Sequence, residues 1–146
     1  MSKNLPQSSK WETIVVGVII AAIVLGLLSL WRSQNDPRVA ELNQLLMADP
    51  EIHDFSYPFR VLAVKGNTAY VSSPRSPQVS VLRFLAIDQP QLDLSNPDSP
   101  SVIAAQKALA KVQGKVHKRV LAYPGIDKVQ WTLDKAWYLQ HGVDIR

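Results

Sequence analysis

Three histidines, His53, His117 and His141, are the side chains best suited to proton transfer near neutral pH in this chain of 146 residues. None has a second histidine or a cysteine at a metal-ligand spacing, so no metal centre is expected. His53 stands beside Asp54, an arrangement that can orient an imidazole as a base. A nucleophile would then have to come from scattered serines, none of which sits in a strand-turn-helix elbow. The chain has no cysteine, which excludes disulfides, cysteine-ligated zinc and a thiol nucleophile. Gly66 stands alone and Gly114 falls inside a helical pattern, so neither glycine loop that cradles phosphate is present. The sequence therefore predicts no catalytic residue, no cofactor and no enzyme.

What remains is charge. Lys107, Lys111, Lys115, Lys118 and Arg119 gather on one side of a predicted helix and form the candidate contact surface, suited to an acidic protein or an anionic lipid surface. The helix that carries them starts at Ser99 and Pro100. Its apolar stripe of Val102, Ala105, Leu109, Val112, Val116 and Val120 continues to the stop at Pro124. The slight basic excess beyond residue 33 is weaker than that of dedicated nucleic-acid binders, and no nucleic-acid partner is expected.

Other elements frame this helix. Asp36 and Pro37 open a short amphipathic helix with Val39, Leu42, Leu45 and Leu46, stopped at Asp49 and Pro50. The runs RVLAVK and TAYVSS flank Gly66 and Asn67, which reads as a hairpin whose turn needs the positive φ of glycine. Val79 to Ile87 is read as another strand, with the start of a helix as the alternative. Residues 89–100 carry three prolines and form a loop. Pro124 and Gly125 make a second turn before a strand built on Ile126, Val129, Trp131 and Leu133, and AWYLQHG closes with one helical turn ended by Gly142.

The uncharged run TIVVGVIIAAIVLGLLSLW, residues 13–31, reads as a transmembrane helix of roughly 28 Å bracketed by Trp11 and Trp31. Gly17 with Ala21, and Ala22 with Gly26, have the small-x-x-x-small spacing of packed membrane helices, which raises a homodimer. Lys3, Lys10 and the amino terminus lean the orientation towards a cytoplasmic N-terminus. The expected organisation is a tail over 1–10, an anchor over 11–32, and a membrane-proximal α+β domain over 33–146. That domain should have two layers, with about four mostly antiparallel strands and two helices.

The order helix, hairpin, long helix, strand, with VKGNTAYV at the hairpin and YPGIDKVQWTL after the long helix, resembles the BON domain of bacterial envelope proteins. Gly66 matches that family's turn glycine, and Pro124, Gly125, Ile126 and Val129 its second turn and final strand. Ser72 or Ser73 replaces a second glycine, and 74–98 is an insertion. The resemblance implies a non-enzymatic module at phospholipid surfaces. The expectation is a signal-anchored, single-pass scaffolding protein of the bacterial inner membrane with a periplasmic domain, binding membrane lipid or a protein partner. Its alternative is an accessory subunit of a secretion or division complex assembled through the transmembrane helix.

Overall fold

The structure, a computed structural model, describes the backbone of residues 10–34 and 36–145 and the side chains of 11, 14–29 and 36–145. The chain divides into two units, Met1–Asn35 and Asp36–Arg146.

The first unit contributes one helix, α1, from Lys10 to Gln34. Its described side chains, including Trp11, Gly17, Ala21, Ala22 and Gly26, are exposed. The expected membrane anchor, and with it the single-pass inner-membrane location, is corrected: among the described residues no helix is long and apolar enough to cross a membrane. The side chain of Trp31, the expected second interfacial anchor, and residues 1–9 of the expected tail lie outside the described residues.

The second unit is α+β. Its helices are α2 (Pro37–Met47), α3 (Pro50–His53), α4 (Val81–Asp88), α5 (Pro100–Leu121) and α6 (Lys135–Gln140), and its strands are β1 (Val61–Lys65), β2 (Thr68–Ser73) and β3 (Lys128–Leu133). The sheet order is β1-β2-β3, with β1 and β2 antiparallel and β2 and β3 parallel. Three mixed strands replace the four mostly antiparallel ones expected. The parallel pair follows from chain geometry, because α4 and α5 return the chain to the end of the sheet at which β2 began.

The missing strand is α4. Val81, Phe84 and Leu85 recur at helical spacing, and burying Phe84 and Leu85 completely decides in favour of helix over the extended propensity of Val79 to Ile87. α2 stops at Met47, and Asp49 caps α3 by accepting from the Glu51 N–H at 3.2 Å. Asp36 caps α2 in the same way, accepting from the Arg38 N–H at 3.0 Å. Ser99 holds the cap position of α5, but its hydroxyl bonds no backbone N–H of the first turn.

α2 lies against β1 and α5 against β3. Between them, Leu42, Leu46, Val64, Ala69, Val71, Leu109, Val116 and Val120 are almost wholly buried. Gly66 turns the hairpin at φ 60, and Gly125 follows Pro124 at φ 82. Arg38 of α2 donates from Nη1 to the Gly66 carbonyl at 2.9 Å, while Asn67 reaches across to Asp127 at 2.7 Å. The turn is thus tied to α2 on one side and to the entry of β3 on the other.

Candidate functional site

The basic face of α5 is not a row of free cations. α3 places Asp49 and Glu51 against it, so Lys111 meets Glu51 at 2.6 Å, Lys115 meets Asp49 at 2.8 Å and Glu51 at 2.5 Å, and Arg119 meets Asp49 at 2.8 Å. Asp49 keeps only 2% of its side-chain surface. A carboxylate so enclosed is stable only because its charge is matched and hydrogen-bonded on several sides. The Lys115 ammonium, then the Arg119 guanidinium, hold the Asp49 carboxyl below the usual carboxylate range. Lys111 and Lys115 do the same for Glu51, and the two acids push the Lys115 ammonium up.

Lys107 and Lys118 are exposed and form no ion pair among the described residues. Ala110 and Gly114 lie between the lysines, and with Lys111, Lys115 and Lys118 they line a depression of about 380 Å³. Three of the five expected contact residues therefore hold α3 onto α5, and two face solvent with their charge uncompensated.

The histidines stay apart. His53 Nδ1 lies 2.7 Å from Asp54 Oδ1 on an exposed turn, and among the described residues no hydroxyl bonds either side chain. His141 Nδ1 lies 2.7 Å from the Trp137 carbonyl. His117 is half-buried on α5. Among the described residues no group of three or more histidine, aspartate or glutamate side chains is placed to hold a metal.

Two buried polar networks were not foreseen from sequence. At the end of β3, Asp134 accepts from the Tyr57 hydroxyl at 3.0 Å, from Arg60 Nη2 at 2.9 Å and from the Trp137 N–H at 3.1 Å. Burial pushes the Tyr57 phenol up. Tyr57, Phe59, Phe84 and Trp137 stack edge-on or tilted around it. At the end of β2, Gln113 of α5 donates to the Ser73 hydroxyl at 3.1 Å and accepts from Arg75 Nε at 2.8 Å. Asp134 precedes the helical run KAWYLQ, a cap signal that was legible. Gln113 lay inside an apolar stripe and gave none.

Beside Gln113 two depressions open near β3. One depression of about 610 Å³ is lined by His117 and Leu121 of α5, by Lys128, Val129 and Gln130 of β3 with Asp127 before it, and by Thr68 and Tyr70 of β2. A second, of about 370 Å³, is lined by Gln113, Trp131, Ser73 and Arg75. Gln113, His117 and Leu121 are four residues apart and share one stripe of α5. No family model matches this chain, and no curated protein or solved structure proves similar to it.

Proposed function

We propose that this chain is a non-catalytic interaction module that binds an acidic partner protein through the outer side of α5. The observation that carries the reading is the pair of exposed lysines, Lys107 and Lys118, left uncompensated while their neighbours are consumed in ion pairs, with Lys118 lining a small-residue depression. Five cations on that side face two carboxylates, so the surface keeps a positive field that favours an acidic docking face. The order helix, two strands, helix, strand over α2, β1, β2, α5 and β3 supports a BON-like module, with α4 as an insertion between the second strand and the second helix.

The test is site-specific photocrosslinking in living cells, with a benzoylphenylalanine placed at 107 or 118 of the full chain and, as controls, at the exposed positions 54 and 98. Expected are discrete crosslinked protein bands from 107 and 118 that disappear when the other lysine is changed to glutamate. Absence of bands at 107 and 118, or the same bands at 54 and 98, would sink the assignment. Lys111 and Lys115 are unsuitable probes, because their replacement also breaks the contact with α3.

A further inference from the structure

The two edges of the sheet are treated differently by the fold. On β1, both main-chain groups of Val61 are taken by the side chain of Asn43, which accepts from the N–H at 2.8 Å and donates to the carbonyl at 2.9 Å. At the other end of β1, Arg38 takes the Gly66 carbonyl. α2 therefore closes that edge, as native sheets do to avoid unwanted pairing.

β3 is the opposite edge. The Lys128 N–H donates to the Asn67 carbonyl at 3.2 Å and the Asp134 N–H to the Ser73 carbonyl at 2.9 Å. The parallel register advances by equal steps between these two bonds, so the even-numbered residues 128–134 point their main-chain groups at β2. Val129 and Trp131 then point their N–H and C=O outward, and among the described residues no hydrogen bond reaches them there. Their side chains, on the α5 side, are only half-buried, whereas their neighbours Ala69 and Val71 on β2 are fully buried.

We propose that the edge of β3, with the α5 stripe of Gln113, His117 and Leu121 as its wall, receives an extended acidic segment of a partner protein as a fourth strand. The inference rests on the reading of the chain as a protein-binding module and names how part of that partner is held. Outward donors and acceptors two residues apart match an extended chain and no other conformation, and the two depressions at its flanks accept alternate side chains. Six residues of β3 offer about 20 Å of edge. Lys128 at one end and Arg75 at the other carry exposed positive charge, and the only carboxylate lining either depression among the described residues, Asp127, already accepts from Asn67. This charge selects an acidic segment and disfavours a second copy, which would bring the same cations together. At about 100° per residue, Lys118 lies a quarter-turn round the helix from His117, so the groove and the free basic side of α5 are distinct faces.

The experiment selects a random dodecapeptide phage library on the immobilised full chain and then follows amide hydrogen exchange by NMR with the enriched peptide. Expected are peptides alternating apolar and acidic residues that slow exchange at Val129 and Trp131 by about tenfold or more and leave Lys128 and Gln130, already bonded to β2, unchanged. Val129→Pro removes an outward donor without touching the ladder and should weaken binding about tenfold. Should that variant fail to fold, Lys128→Glu carries the same test, with a comparable loss for acidic peptides and none for neutral ones. Protection confined to α5 around Ala110 and Gly114 would overturn the groove and leave the module reading standing. Failure to enrich any peptide would overturn the groove, while crosslinks at 107 and 118 would still report separately on the module. Concentration-dependent protection of Val129 and Trp131 without peptide would assign the edge to self-association instead.

Discussion

Replacing Asp134 by alanine should destabilise the second unit by about 3 kcal/mol, and the structure says where that sum comes from. The carboxylate caps α6 through the Trp137 N–H, and losing such a cap costs about 1 kcal/mol. It also accepts from Tyr57, a residue with no exposed surface, so its loss leaves that hydroxyl, which keeps Ser72 beside it, without the carboxylate acceptor for its proton at about 1 to 3 kcal/mol. Arg60, with 47% of its side chain exposed, turns to water and adds less than about 1 kcal/mol. The assay is urea denaturation followed by near-ultraviolet circular dichroism, which reports the packed aromatic cluster of Tyr57, Phe59, Phe84 and Trp137. A double-mutant cycle isolates the bond between Tyr57 and Asp134. Tyr57→Phe in the native background removes a bond to a buried carboxylate and should cost about 1 kcal/mol or more. In the Asp134→Ala background the same change removes a hydroxyl left only with Ser72 and should cost clearly less, giving a coupling of about 1 kcal/mol. A loss below about 1 kcal/mol for Asp134→Ala, or equal effects of Tyr57→Phe in both backgrounds, would refute the assignment of these bonds.

At the hairpin turn, Gly66 at φ 60 has open space where a Cβ would stand, so substitutions there act through backbone strain alone. Urea denaturation should rank Gly66→Asn nearest to native, Gly66→Ala lower, and Gly66→Val lowest at about 2 kcal/mol. Acid should loosen α3 from α5. The Asp49 and Glu51 carboxyls are depressed on folding, so their contribution is full above their ordinary values of 3.8 and 4.5 and is lost as pH falls through and below them. Lys115, raised above 10.5, acts in the opposite direction: its contribution is full below that value and fades as pH rises past it. A Lys111→Met and Lys115→Met chain should show a shallower acid slope in a stability-against-pH series, and an unchanged slope would remove these ion pairs from the account.

Local chemistry was legible wherever it is local. Asp36 with Pro37, Gly66 with Asn67, and Pro100 before the stripe from Val102 to Val120 each announce a boundary within a few residues, and the structure has α2, the β1–β2 turn and α5 there. Val79 to Ile87 is ambiguous because β-branched and aliphatic residues suit a strand and a short helix alike. Only the tertiary demand to bury Phe84 and Leu85 together decides it. Sheet direction escapes the sequence for a related reason. Whether β3 returns parallel or antiparallel depends on where α5 delivers the chain, and no residue of β3 encodes it. The apolar run of α1 illustrates the limit of pattern alone, since composition suggests a crossing over 13–31 whereas the described helix offers none.

The candidate surface was the least legible part, and α5 shows why. Periodicity sorts that helix into an apolar side and a polar side and stops there. In the folded unit the polar side divides again. Lys111, Lys115 and Arg119 are held by two carboxylates some 60 to 70 residues away in sequence, and Lys107 and Lys118 are left to solvent. Nothing in the spacing of the cations distinguishes the two groups, because the distinction is made by where α3 docks. The same holds for Gln113, His117 and Leu121, three unlike residues whose common role appears only when β3 runs beside them with its outward main-chain groups open. A binding surface of this kind is defined by what the fold leaves unsatisfied, so it becomes readable after every intramolecular partner has been assigned and not before.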